Sequence, residues 1–159
     1  MMIEAVGKNL TLRTMTKKEL RALLRKIDTS TPFSDEEADL IFEKMAAQEK
    51  RSPITGIFTK NGEVIGMLIF DSLVLSEQRS DIIINLANKS YCRKGNGTEA
   101  LMIAKQYAKD QMGLKKLYAY VSTKDIASQA LYKKCGFLHA KTFKGGKNSE
   151  DKMMFVSVM

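Results

Sequence analysis

Tryptophan is absent from this chain, and histidine occurs once, as His139. Cysteine and proline occur twice each, as Cys92, Cys135, Pro32 and Pro53. Two cysteines far apart in a chain of this size do not make a disulfide scaffold. One histidine and two cysteines fall short of a structural zinc site, so no metal is expected. With so little proline, and no repeat or low-complexity run, nothing reads as an interdomain linker. No stretch approaches the roughly 18 continuous apolar residues of a membrane span. The opening Met1-Met2-Ile3-Glu4 lacks a basic region followed by an apolar run. No signal peptide is therefore expected, and the cytoplasm is the expected location.

What is present is 159 residues, 44% hydrophobic and 28% charged. That length suits one domain, residues 1–159, with one real core. It is too short for an eight-stranded α/β barrel or a two-lobed dinucleotide enzyme. The net charge of +8 implies an anionic partner: nucleic acid, a phosphorylated cofactor or an acidic surface.

Leu10 to Met15 alternates apolar and polar residues and reads as a strand. Thr16 with Glu19, and Ser34 with Glu37, have capping-box spacing. They open helices whose apolar stripes are Leu20, Leu23, Leu24, Ile27 and Ala38, Ile41, Phe42, Met45. The second helix is expected to end near Arg51, ahead of Pro53. Asn61-Gly62 is a hairpin signal between Ile54–Phe58 and Glu63–Phe70. Ile82, Ile83 and Ile84 mark a buried strand after the charged segment Glu77–Asp81. Gly97–Met112 reads as a helix stopped by Gly113, and Leu117–Val121 as a strand. Asp125 can cap a short helix, Ile126–Lys134. Leu138–Phe143 and Met153–Val158 close the chain as strands. Antiparallel strands first and one β-α-β crossover late imply an α+β fold, a mixed and mostly antiparallel sheet. Six to seven strands and about four helices are expected.

The most informative stretch is Arg93-Lys94-Gly95-Asn96-Gly97-Thr98-Glu99-Ala100, between a strand and a helix. Glycines there let the backbone approach a ligand. The first N–H groups of a helix lack intrahelical partners and, with the helix dipole, form an anion site. Arg93 and Lys94 add full charges, so the stretch reads as a pyrophosphate cradle. It also satisfies G-x-G-x-x-G/A. The dinucleotide fold, however, expects an acidic residue closing the next strand, and Asp125 lies beyond it. A plain tight turn is the other reading of the same glycines.

Lys94-Gly95-Asn96-Gly97-Thr98-Glu99-Ala100-Leu101 resembles the acetyl-CoA loop of the GNAT superfamily of N-acetyltransferases. Ile126-Ala127-Ser128-Gln129-Ala130-Leu131-Tyr132-Lys133-Lys134-Cys135-Gly136-Phe137 resembles the family's N-x-A/S-x-x-L-Y-x-x-x-G-F segment. The order of elements matches too, and the resemblance covers nearly the whole chain. Asn88–Leu101 is most similar to the branch with ribosomal-protein and spermidine acetyltransferases. Two positions depart from the pattern: Cys92 stands for Arg or Gln, and Asp125 for Asn.

The resemblance implies direct acetyl transfer from acetyl-CoA to a primary amine, with both bound at once. The acceptor is then a small molecule, a polyamine, or a protein N-terminus or lysine. The backbone of Arg93, Lys94, Gly95, Asn96, Gly97 and Thr98 is expected to hold the pyrophosphate. Leu86, Ala87 and Asn88 are expected along the pantetheine arm, with Leu86 or Ala87 polarising the thioester carbonyl. Asp125 and Lys134 complete the cofactor set. Tyr132 is the expected proton donor to the departing thiolate. No general base is assigned; Asp71 and Asp81, near strand ends, read as surface carboxylates. A homodimer is in keeping with the family. The alternative is a CoA-binding module without transfer activity. Neither nucleic acid nor membrane is an expected partner, since no basic stripe with interleaved aromatics shows along the sequence.

Overall fold

The computed structural model describes residues 3–159. Met1 and Met2, half of the opening read above, lie outside the described residues. The N-terminal half runs β1 (Glu4–Val6), β2 (Leu10–Arg13), α1 (Lys17–Arg25), α2 (Asp35–Ala47), β3 (Ile54–Thr59) and β4 (Val64–Val74). The remainder is β5 (Arg79–Leu86), α3 (Asn96–Asp110), β6 (Lys116–Ser122), α4 (Ile126–Lys134), β7 (Leu138–Phe143) and β8 (Lys152–Val158). The strands form one sheet in the order β1-β2-β3-β4-β5-β6-β8-β7. Among the described residues, β5–β6 is the one parallel pair.

The sheet has eight strands, one more than the upper expectation. The extra one is β1, whose three residues are too few to show a period of two. It is held through its register with β2, Glu4 opposite Arg13 to Val6 opposite Thr11.

Both capping boxes form as their spacing implies. Glu19 N–H donates to Thr16 Oγ1 and Thr16 N–H to Glu19 Oε1; Ser34 and Glu37 repeat the exchange. α2 stops at Ala47 rather than near Arg51. The chain turns there, with Arg51 and Ser52 N–H groups both donating to the Gln48 carbonyl. Pro53 restricts only its predecessor, so the helix ends earlier than the proline alone requires.

The helices divide between the two faces. α3 and α4 cover one, where Leu101, Ala104 and Ala108 meet Leu68, Phe70, Ile82, Leu117, Ala119 and Phe155. α1 and α2 cover part of the other, where Leu20, Leu23, Leu24 and Ala38 meet Phe58 and Val64. The second face over β6, β8 and β7 carries no helix, and Tyr120, Phe143 and Val158 are exposed there. No helix among the described residues is long and apolar enough to cross a membrane.

Candidate functional site

The parallel join is where the sheet opens. β5 and β6 pair from Arg79 opposite Lys116 to Asp81 opposite Tyr118, and no further. Beyond that point β5 runs on to Leu86 and β6 to Ser122, and the strands part. The ladder on the far side of β5 decides which peptide groups face the gap. Ala87 N–H donates to the Ile65 carbonyl at 2.8 Å, and the β4–β5 register is unbroken from Leu86 back to Asp81. Hydrogen-bonding residues alternate along an antiparallel strand. Ile83 and Asn85 therefore turn their peptide groups to β4, while Ile84 and Leu86 turn theirs into the gap. Gly66 allows the strands this close: a Cβ there would lie 2.5 Å from the Asn85 carbonyl oxygen.

The loop after β5 carries two left-handed residues, Arg93 at φ 60° and Gly95 at φ 83°. A Cβ on Gly95 would touch nothing within 4 Å, so conformation rather than space demands this glycine. Gly97 differs. It is helical, and a Cβ would make ordinary contact with Leu131 at 3.5 Å. Neither strain nor packing requires glycine there. What a Cβ would fill is the cavity that Gly97 lines.

Glu99 N–H is the first in α3 to find a carbonyl, Gly95 O at 3.0 Å. The N–H groups of Asn96, Gly97 and Thr98 precede it and have no carbonyl a turn back. Glu99 locks this helix end to the sheet, accepting at 2.8 Å each from Asn9 N–H, Asn9 Nδ2 and Leu10 N–H. Burial works against its charge, but these hydrogen bonds, with Lys60 nearby, hold the carboxyl below its usual range.

The cavity so framed measures about 510 Å³. Ile84, Asn85 and Leu86 line it from β5, and Cys92, Arg93 and Gly95 from the loop. α3 adds Gly97 and Thr98; α4 adds Ala127, Ser128, Ala130, Leu131 and Lys134. Unspent N–H groups at a helix start, two cations, a bare strand edge and an apolar wall meet here. That combination suits a diphosphate joined to an amide-bearing arm.

Of the residues expected from sequence, Leu86, Arg93, Gly95, Gly97, Thr98 and Lys134 line this cavity. The others stand just outside its wall. Ala87 is buried against the α1–α2 core, its N–H spent on Ile65. Asn88 donates from Nδ2 to the Lys26 carbonyl at 2.8 Å and accepts from Ser90 N–H at 2.9 Å. Asn96 Nδ2 donates to the Tyr91 carbonyl at 3.1 Å, which braces the loop. Lys94 is exposed. Asp125 caps α4: Oδ1 accepts from Ser128 N–H at 3.0 Å and Oδ2 from Ser128 Oγ at 2.7 Å.

Tyr132 is buried behind the α4 residues of the wall. Its ring meets Phe137 edge-on at 5.2 Å and stacks with Phe155 at 6.2 Å. Its hydroxyl has no hydrogen-bond partner among the described residues, yet no buried side-chain polar atom among them is left unpaired. The hydroxyl therefore reaches accessible space. Burial, with lesser contributions from Cys135 and Asp125, pushes its pKa up to about 12.

Sequence reading missed Ile84, Asn85, Ala127, Ser128, Ala130 and Leu131 as lining. A signal for the α4 members was available. Ala127, Ala130, Leu131 and Lys134 repeat at helical spacing, one face turned to the loop.

Comparison with known proteins agrees with this geometry. A family profile described as an acetyltransferase (GNAT) domain matches residues 9–138. The chain is similar in structure to the ribosomal alpha-N-protein acetyltransferase RimL in complex with coenzyme A. The TM-score is 0.81 at 18% identity, covering 100% of this chain and 98% of that one. It is similar to the microcin self-immunity acetyltransferase MccE, in complex with acetyl-CoA and AMP. The TM-score there is 0.81 at 17% identity, over 96% and 94% of the two chains. A spermidine N-acetyltransferase SpeG variant from Vibrio cholerae gives 0.76 at 16% identity, over 92% and 94%. No curated protein sequence matches the chain. A profile spanning most of the chain, on a sheet split at the parallel β5–β6 pair, makes this protein a member of the GNAT acetyltransferase family.

Proposed function

We propose that this chain transfers acetyl from acetyl-CoA to a primary amine, directly, with both substrates held across the β5–β6 gap. The observation that carries this reading is the alignment of two unspent backbone sets on one cavity. They are the α3 N-terminal N–H groups and the gap-facing peptides of Ile84 and Leu86.

Bound acetyl-CoA supplies a thioester carbonyl open to attack by an amine. The N–H groups of Asn96, Gly97 and Thr98 hold its pyrophosphate, with Arg93 and Lys134 as full counter-charges. The peptide edge of Ile84 and Leu86 pairs with the pantetheine amides as a neighbouring strand would. Leu86, rather than Ala87, aims an N–H at the thioester oxygen, because the Ala87 N–H is already spent on Ile65. Asp125 acts as a positioning residue that sets Ser128 and the first turn of α4 against the loop. Carboxylate therefore replaces the family's amide at a capping position where either side chain can accept.

Tyr132 keeps its proton at any working pH. A pKa near 12 makes it a weak acid beside a thiol of about 8.5. Its part is therefore a hydrogen bond that stabilises the developing thiolate, whose own proton affinity rises in the same dry surroundings.

Calorimetric titration with acetyl-CoA, with NADH as control, tests the cofactor assignment. Tight binding of the first and none of the second is expected. Turnover with an amine panel tests transfer, and Tyr132→Phe is expected to lower kcat about a hundredfold with the acetyl-CoA Kd unchanged. Binding without turnover on any amine leaves a CoA-binding module instead.

A further inference from the structure

We infer that Tyr91 and Glu63 are a positioning pair: the hydroxyl–carboxylate contact between them fixes the base of loop 92–95 and so sets how tightly acetyl-CoA is held. The inference rests on the transfer reading above and extends the binding machinery to two residues outside the cavity wall.

The loop has little to hold it from within. Cys92, Arg93, Lys94 and Gly95 are all exposed. Arg93 sits in the left-handed region at φ 60° without being glycine, a strained conformation that persists where the surroundings enforce it. The base of the loop is closed by Asn96 Nδ2, which donates to the Tyr91 carbonyl at 3.1 Å. Tyr91 is thus the post on which the loop hangs. Its carbonyl takes the far end, at the first residue of α3, and its own place in the chain sets the near end. A shift of Tyr91 moves Arg93 and the α3 N–H groups together.

Tyr91 is fixed in turn from the sheet. Its ring is partly buried and packs against both cores, a contact without direction. Its hydroxyl supplies the direction, donating to Glu63 Oε1 at 2.7 Å. Glu63 belongs to the β3–β4 turn, where its N–H donates to Thr59 Oγ1 at 3.2 Å and its carbonyl accepts from Thr59 N–H at 2.8 Å. Lys26, the C-cap of α1, reaches the same turn. Its Nζ donates to the Val64 carbonyl at 2.5 Å and stands 3.6 Å from Glu63 Oε1. Asn88 Nδ2 completes the circuit by donating to the Lys26 carbonyl at 2.8 Å. The Tyr91 hydroxyl, and then the Lys26 ammonium, hold the Glu63 carboxyl below its usual range, and Glu63 in turn keeps the Tyr91 proton in place. A hydrogen bond to an ionised carboxylate therefore ties a pinned hairpin to the loop.

The test is calorimetric titration of the full chain and its variants with acetyl-CoA, well below each variant's melting temperature so that unfolding does not contribute. Tyr91→Phe keeps the ring and the carbonyl that Asn96 uses, and loses the hydroxyl. Its acetyl-CoA Kd is expected to rise about fivefold. Glu63→Ala is expected to match it. The double variant Tyr91→Phe, Glu63→Ala is expected to lose no more than either alone, because both remove one contact. Glu63→Gln retains an acceptor oxygen for the hydroxyl and is expected to stay within about twofold of the parent. That rescue is what a merely structural loss at Glu63 does not give. Parent-like binding by Tyr91→Phe, additive losses in the double variant, or a Glu63→Gln as weak as Glu63→Ala overturns the inference. A parent that binds no acetyl-CoA refutes the cofactor reading and the inference with it, whereas a binding parent with an unaffected Tyr91→Phe refutes the inference alone.

Discussion

Gly95 and Gly97 stand two residues apart in one loop, yet alanine at each is expected to act in opposite directions. At Gly97 the added Cβ meets Leu131 at 3.5 Å, an ordinary contact, and the backbone is helical. Replacing a helical glycine gains about 0.5–1 kcal/mol in stability. In a domain of this size that raises Tm by about 1–4 °C. The same Cβ, however, enters the cavity beside the α3 N–H groups. Hydrogen bonds to a charged group contribute about 1.5–3 kcal/mol, so displacing one weakens acetyl-CoA binding by about 10- to 100-fold. At Gly95 the φ of 83° penalises any L side chain, at about 1–2 kcal/mol, while a Cβ there touches nothing. Gly95→Ala therefore lowers Tm by a few degrees and weakens binding through the distorted loop. Calorimetry for Kd and scanning calorimetry for Tm read both effects. If Gly97→Ala binds acetyl-CoA as tightly as the parent, the cavity beside α3 is not the phosphate site. The two glycines then make only a turn.

Three further outcomes follow from the same geometry. Gly66→Ala places a Cβ 2.5 Å from the Asn85 carbonyl oxygen, so β4 and β5 must separate at the gap. A loss of about 1–3 kcal/mol in denaturant melts and a matching fall in acetyl-CoA affinity are expected. Asp125→Ala is expected to cost about 1 kcal/mol through the lost cap, while Asp125→Asn keeps both stability and acetyl-CoA affinity; a large affinity loss in the Asn variant refutes a positioning role. The Arg13 guanidinium, helped by Thr16 N–H against the opposing effect of burial, holds the Glu19 carboxyl down to about 2. A depressed folded pKa means stability is present above the unfolded value near 4.5 and is lost as pH falls from there toward 2. Melts of Glu19→Gln across that window should show a flatter acid limb.

Local chemistry wrote much of this fold into the sequence. Thr16, Ser34 and Asp125 announce three helix starts because a side-chain oxygen and a donor a few residues on are enough to form a cap. The glycine turn into α3 was legible for the same reason: Gly95 and Gly97 act within one turn of the helix start. What sequence did not reveal depends on pairing. Ile84 and Leu86 differ from Ala87 only through a ladder with β4, and nothing in Ile-Asn-Leu-Ala says which N–H is spent. The resemblance implies a proton donor at Tyr132 and a cofactor contact at Asp125; tertiary packing sets the first beside Phe137 and Phe155 and the second as the cap that holds Ser128.

Placement of the site at the parallel pair has a physical cause. A crossover must lift the chain off the sheet at the end of β5 and return it at the start of β6, so α3 begins where β5 ends. Its N-terminus, with unsatisfied donors, is thereby fixed at the same end of the sheet where β5 and β6 stop pairing. The gap then opens to both faces. On the helix side it meets the unpaired N–H groups of the α3 N-terminus, and on the helix-free side it meets Asp81 and Tyr118. Two ligands of unlike chemistry can approach one point from opposite sides without sharing a path. The edge of β5 beyond Asp81, unpaired with β6, borders both approaches. A variant that closes the gap should therefore weaken binding of acetyl-CoA and of the amine acceptor together.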